Sequence, residues 1–469
     1  MLGARFIRRG LRPFVDFAVH QPPLHLYLLA WSGRLFGETV FGYRMLSVVS
    51  VAISGLLLFW LLRRFTGPLP ALVAQALFLF SPSQLHAMNA VAEPPMLLFT
   101  MLGVTLLFLG TGRASAYASA VAFVIALLVK PTAIVVILAV VLSLVYARAW
   151  RRLVDLAMSG VVAAIVGLVW TFVLSGGIFA EIVRFQIERL GTRTAGMWVI
   201  DPGFAELRRL FHIESRGQWA VFCFKVFCLY PQTYLPAAFF VIAFVGIPIW
   251  TGRCAGGNRA LGAFTVLWPV ASLAFNFVAM EYVSAKYFVP FLAFTAFLLA
   301  AVVWLVVQPL PPRSAGVAAM VVTIALAGNF AWRLRTEPDP WYYGRADWIA
   351  RHYPAVLSFS PMFFAATGAE PECGFVNPAD TYGTFGEAVF GTTPHARRFR
   401  FSDERLIDCL RAHPETRVVV DFWYYYFTQP GSALREYLRA EGGGRTVFFS
   451  PDALAQWDHP RLVKDFVFR

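Results

Sequence analysis

The chain has 469 residues, 58% of them hydrophobic and 14% charged, with a mean hydropathy of +0.62. An average soluble domain is roughly 45–50% apolar and about 25% charged, so one soluble globule, a disordered chain and a fibrous repeat are all excluded. The net charge of +13 sits unevenly: residues 335–469 hold 15 basic and 17 acidic side chains, which leaves 25 basic and 10 acidic for residues 1–334. A basic excess confined to the apolar part speaks for membrane topology and contact with anionic lipid; no basic run interleaved with stacking aromatics suggests nucleic acid.

In chain order, residues 1–45 form an amphipathic stretch without the apolar core of a signal peptide. Apolar segments then fall at about 46–62, 70–88, 95–110, 115–129, 131–147, 154–174, 232–250, 261–280, 287–307 and 315–334. These are ten candidate spans, several near or below the ~17–25 residues that cross the hydrocarbon layer. Lys130-Pro131 splits the 115–147 block and predicts two short helices or a re-entrant pair. Residues 219–230 are apolar too, with Lys225 and Pro231 favouring an interfacial helix. The tail has strand-like runs at 355–359, 417–422 and 445–449 and helix-like segments at 343–352, 403–412 and 432–441. The expected fold is thus an all-α polytopic transmembrane bundle of about ten spans with a small C-terminal α/β domain. Its parts are an outer first loop with interfacial helices (1–45), the bundle (46–334, with an outer loop at 175–230) and the tail domain (335–469).

Alternating spans place Arg63, Arg64, Arg113, Arg148, Arg151, Arg152, Arg253, Arg259 and Arg313 on one side, which the positive-inside rule makes the cytoplasm. The opposite, extracytoplasmic side receives residues 1–45, the loop around Glu93, Lys130, the 281–286 junction and the whole tail. An N-terminus on that side needs a preceding helix to carry it across, so an upstream first transmembrane helix is expected.

The ten acids of residues 1–334 all lie outside the span centres, unlike the midplane charges of transporters. They gather at helix ends, as suits an enzyme working at the membrane surface. Asp16, in PFVDFAVHQPPLHLY, is a candidate base toward a hydroxyl, or alternatively a helix cap. Glu93, ahead of Pro94-Pro95, is a candidate second acid, or a complement to a helix dipole. Lys130 and Lys286, two of only four lysines, are candidate phosphate ligands, or snorkelling side chains. His20, His25 and His86 match no metal spacing, and a divalent cation stays open. The cysteines show no CxxC; Cys373 and Cys409 share the tail, which leaves a disulfide open if that tail is exported.

The stretch DFAVHQPPLHLYLLAWSGRLFGETVFGYRMLSVV resembles the first outer loop and following helix of the GT-C glycosyltransferases. Within them it is most similar to the bacterial relatives of dolichyl-phosphate-mannose protein mannosyltransferases and of the aminoarabinose transferase. Asp16, His20, Pro22, Pro23, Leu24, Phe36, Gly37 and Arg44 carry that likeness. NAVAEPPMLLF, LLVKPTAI and AKYFVPFLAF resemble three further family elements, with Lys286 where arginine is usual. The resemblance implies inverting transfer of a sugar from a polyprenyl-phosphate donor to a hydroxyl of a glycan, lipid or protein. It implies Asp16 (or an acid upstream of this chain) as general base, Glu93 as second acid, and Lys130, Lys286 and Tyr287 at the donor phosphate. His20, Pro22, Pro23 and Arg44 would line the site. The alternatives are a polyprenyl-lipid transporter or flippase, and a catalytically inactive membrane subunit.

Overall fold

The computed structural model describes residues 1–19, 22–81, 84, 90–175, 178–180, 183–184, 215, 217–218, 221, 244–247, 249–254, 258–275, 289–336, 339–353, 355–360, 363–364, 367–369, 371–375, 382, 397–420, 424, 428, 431–441 and 444–448. It divides into two compact units. One comprises Met1–Tyr43, Thr171–Trp219 and Pro338–Arg469, and the other Arg44–Trp170 and Ala220–Glu337.

The Arg44–Trp170 and Ala220–Glu337 unit is helical. Its helices are α3 (Val40–Thr66), α4 (Pro68–Leu79), α5 (Glu93–Leu109), α6 (Arg113–Val129), α7 (Ile134–Tyr146), α8 (Trp150–Ser175), α9 (Arg259–Ala274), α10 (Val289–Val307) and α11 (Pro312–Thr336); α3 and α8 run on into the other unit. Their ends follow local chemistry. Arg63 and Arg64 close α3 where its carbonyls point, and Gly67 turns the chain at a positive φ of 81° before Pro68 opens α4. Pro131 pushes Lys130 into an extended conformation (φ −155°, ψ 123°), which ends α6; one 3-10 turn, Pro131–Ala133, leads into α7.

Packing in this unit pairs α5 with α6, α7 with α9, and α4 with α10. The α5–α6 pair is close because Gly103 has no side chain: a Cβ there would meet the Phe123 ring at 2.6 Å. Ser119 Oγ uses that proximity to donate to the Gly103 carbonyl at 2.7 Å. The core gathers Leu58, Phe78, Met101, Phe264, Trp268, Phe294, Phe297 and Trp250.

Three helices are long and apolar enough to cross a membrane: Val40–Thr66, Trp150–Ser175 and Pro312–Trp332. Other expected spans correspond to shorter apolar helices among the described residues. Pro68–Leu79, Glu93–Leu109, Arg113–Val129, Pro131–Tyr146 and Leu292–Val307 are apolar but shorter. At 1.5 Å per residue, helices this short reach about 18–26 Å against a hydrocarbon layer of about 30 Å. The helix breaks at Gly67, Gly110 and Pro131 fall at or between the ends of the apolar segments read from the sequence. Most of the 232–250 stretch, the end of 261–280, and most of 219–230 lie outside the described residues.

The other unit holds α1 (Leu2–Arg8), α2 (Leu24–Phe36), α12 (Asp339–His352), α13 (Asp403–Ala412), α14 (Ala433–Ala440) and strands β1 (Val356–Ser358), β2 (Arg417–Val420) and β3 (Thr446–Phe448). The strands form a parallel sheet in the order β1-β2-β3, with Leu357 opposite Val418 and Val419 opposite Val447. Both faces are covered, as parallel strands require. Val356, Val419 and Val447 pack with Ile349 of α12 and with Leu2, Phe6, Phe14 and Phe17. Leu357, Val418 and Val420 pack with Leu406, Leu410, Leu434 and Leu438 of α13 and α14. The N-terminal segment is thus part of the core of the tail sheet. Buried Arg5 fastens it there, donating to the carbonyls of Phe364 (3.1 Å) and Gly368 (2.7 Å). A Cys373–Cys409 disulfide ties a 3-10 turn to α13.

Candidate active site at Glu93 and Lys130

Glu93 is the first residue of α5, followed at once by Pro94 and Pro95. Proline suits the first helical turn, where its missing N–H has no carbonyl to serve, and an acid there meets the positive helix end. Lys130 stands where α6 ends. Its own N–H still bonds the Ala126 carbonyl at 2.8 Å, while its carbonyl accepts from Ala133. Because α5 and α6 are joined by the short Gly110–Gly112 connection, the start of one and the end of the other lie at the same end of the hairpin. There Lys130 Nζ donates to Glu93 Oε1 in a direct ion pair. Glu93 is 2% exposed and Lys130 5%. Thr132 Oγ1 sits 3.3 Å from Met96 Sδ and closes the turn over the pair.

At the other end of the hairpin Arg113 lies 3.7 Å from Asp155 of α8. The seventeen residues of α6 between Arg113 and Lys130 correspond to about 25 Å of rise. The pair therefore sits at the end of the hairpin opposite that arginine-bearing boundary. An isolated charge in such apolar surroundings is costly, so it is paired or has work to do. What the pair supplies chemically is a fixed ammonium and a fixed carboxylate. Lysine gives a compact charge suited to phosphate oxygens, and glutamate holds it in place.

Asp16 belongs to the other unit, in a tight turn over Arg12–Phe17. Phe14 N–H donates to the Phe17 carbonyl at 2.9 Å, and Phe14 itself is fully buried at a positive φ of 66°. The carboxylate accepts from the Arg12 backbone N–H at 2.6 Å and lies 3.9 Å from the Arg12 guanidinium. Its side chain is 34% exposed. The Phe14 and Phe17 rings are buried in the core, while the acid stays part-exposed beside the Arg12 guanidinium. Arg398, from the tail, donates to the Val15 carbonyl and holds the turn.

Pro22 and Pro23 are buried ahead of α2, and the Pro23 carbonyl accepts from Leu26 and Tyr27. Arg44 is half-buried in α3. His20, Lys286 and Tyr287 lie outside the described residues. The structure thus brings Glu93 and Lys130 into contact, and places Asp16, Pro22 and Pro23 in a different unit from them. Among the described residues no three His, Cys, Asp or Glu side chains gather as a metal site. Sequence reasoning missed Arg12 and Arg398 as partners of the Asp16 turn; the i, i+4 spacing of Arg12 and Asp16 was the available signal for the first.

Residues 20–176, which include Glu93 and Lys130, match the dolichyl-phosphate-mannose-protein mannosyltransferase family. The structure is similar to that of ArnT from Cupriavidus metallidurans bound to undecaprenyl phosphate, with a TM-score of 0.52 at 16% identity over 87% of this chain and 84% of that one. The chain shares the fold of that ArnT structure. The apo form of the same ArnT aligns with a TM-score of 0.47 at 16% identity, over 97% of this chain and 84% of that one. An Archaeoglobus fulgidus oligosaccharyltransferase complex with zinc and sulfate gives 0.46 at 15% identity, over 83% of this chain and 54% of that one. No curated protein sequence matches the chain.

Proposed function

We propose that this GT-C protein is a membrane glycosyltransferase that moves a sugar from a polyprenyl-phosphate donor to a hydroxyl acceptor at the outer membrane face. The observation that carries the reading is the buried Glu93–Lys130 pair at the end of the α5–α6 hairpin, inside the segment that matches the mannosyltransferase family. A donor whose tail stays in the bilayer presents its phosphate at headgroup level, where a helix-end ammonium meets it. The polyprenyl phosphate seen in ArnT supports the same donor class. The Cys373–Cys409 disulfide supports an oxidising, extracytoplasmic side for the tail.

The chemistry is a single displacement. The acceptor oxygen forms a bond to the anomeric carbon from the face opposite the phosphate, the bond from that carbon to the phosphate oxygen breaks, and configuration inverts. Asp16 takes the acceptor proton as general base. Lys130, with Lys286 and Tyr287, stabilises the charge growing on the departing polyprenyl phosphate. Glu93, the second acid, keeps Lys130 aimed and charged through their ion pair, while His20, Pro22, Pro23 and Arg44 shape the site. Donor sugars of the hexose and pentose classes both suit this scheme.

The test uses the full chain reconstituted in vesicles with undecaprenyl-phosphate hexoses and pentoses in turn, reading release of undecaprenyl phosphate. One donor is expected to turn over, and Asp16→Asn and Lys130→Ala to lower its rate at least 100-fold while the protein still inserts. Full turnover by both variants removes the site assignment. Translocation of the donor lipid without cleavage would favour the flippase reading instead.

A further inference from the structure

We propose that the Asp16 turn and the 397–405 segment of the tail together form an anion site that holds a phosphate ester. Four arginines, Arg397, Arg398, Arg400 and Arg405, fall within nine residues of a tail whose net charge is −2. Contact between the two segments is direct, since Arg398 donates to the Val15 carbonyl beside Asp16. Arg12 adds a fifth guanidinium from the turn, two-thirds exposed and only 3.9 Å from the carboxylate it balances. Of the two acids in the run, Asp403 is committed elsewhere: it accepts from Tyr382 and, at 3.0 Å, from the Leu434 N–H.

Two of these arginines, Arg398 and Arg405, are held in position, which sets them apart from ordinary surface charges. Arg405 Nη1 donates to the carbonyls of both Arg398 and Arg400 at 2.7 Å, and its guanidinium lies 4.3 Å over the Phe401 ring. Arg398 lies 4.6 Å over the Phe399 ring. Arg397, Arg398 and Arg405 are exposed. A guanidinium fixed in plane by a ring and a carbonyl has already lost its rotamer freedom, so an incoming anion meets a prepared fork. Phosphate oxygens match that fork bidentately. The site is exposed, so its attraction falls with added salt. It stands whether or not Asp16 is the base of the reaction proposed above.

The experiment titrates the full chain in phosphatidylcholine nanodiscs with glucose 1-phosphate by calorimetry, without donor lipid, so that no turnover enters the reading. A second arm compares thermal stability in nanodiscs with and without phosphatidylglycerol. The Arg397→Gln/Arg405→Gln variant is expected to bind glucose 1-phosphate at least tenfold more weakly than the native chain, and raised NaCl to erase the difference. If only phosphatidylglycerol separates native from variant, the bound phosphate is a lipid headgroup, and the site stands with that ligand. Formation of the Cys373–Cys409 disulfide, whose second cysteine shares α13 with Arg405, reports that the variant folds. Should it fail to form, Arg12→Gln carries the test, with a threefold loss expected. Equal binding and equal stabilisation of native and variant chains in both arms overturn the proposal.

Discussion

Replacing Lys130 with methionine leaves the Glu93 carboxylate buried at 2% exposure with its ammonium partner gone. Breaking a buried pair on one side costs about 3–5 kcal/mol, because an uncompensated charge remains. At about 1.4 kcal/mol per decade that is roughly two to three and a half decades in the unfolding equilibrium. Glu93→Gln alone strands the ammonium and is expected to cost a similar amount. The double variant Glu93→Gln/Lys130→Met has no charge left to strand, and neutral replacement of a buried pair is often harmless. It is expected to recover to within about 1 kcal/mol of the native chain, a coupling of at least about 5 kcal/mol across the cycle. Unfolding of the full chain in bicelles by denaturant, followed for all four members of the cycle, measures this. Binding of undecaprenyl phosphate, measured on the same samples, is expected to stay lost in the double variant, which separates the pair's role in folding from its role at a phosphate. Simple additivity of the two single substitutions, or single costs near zero, would refute the reasoning.

The tail offers two further outcomes. The Cys373–Cys409 disulfide spans 36 residues, and chain entropy assigns such a loop about 4 kcal/mol of stability; reduction, or Cys373→Ser/Cys409→Ser, is expected to lower the tail's unfolding midpoint in calorimetry by several degrees. Burial and the bond to Asp403 hold the Tyr382 phenol well above its ordinary value of 10, and burial pushes Tyr424 up to about 12. The unfolded chain therefore ionises first: this stability is intact below pH 10 and is lost as pH rises toward 12 and beyond, so tyrosinate absorbance should rise together with loss of tail structure in an alkaline titration, whereas independent, earlier ionisation of both rings would contradict it.

What was legible in the sequence was what local chemistry decides. Pro131 ends α6 at Lys130 because proline constrains the residue before it, and the expected split of 115–147 into two short helices follows. The tail strands at Val356–Ser358, Arg417–Val420 and Thr446–Phe448 fall inside the β-branched and aromatic runs that pointed to them. Which of the ten apolar segments cross a membrane was not legible, because several are near or below the ~17–25 residues a crossing takes and composition does not fix their tilt. The contacts that make the site were out of reach for another reason. Arg5 finds its carbonyl partners 359 and 363 residues away, and Lys130 finds Glu93 across 37; no periodicity links positions so far apart.

Scarcity did part of that work. With only ten acids and three lysines in residues 1–334, Glu93 and Lys130 stood out as candidates singly, though not as partners. Burial then changes what each can do. The Glu93 carboxylate is buried with an oxygen taken up by the Lys130 ammonium, so little of it is open to an incoming hydroxyl. The Asp16 side chain is 34% exposed, so an acceptor hydroxyl can reach it beside the Arg12 guanidinium. The division of labour in the proposed reaction, with proton removal at Asp16 and charge-holding at Glu93, rests on that difference in surroundings between two side chains of the same chemistry.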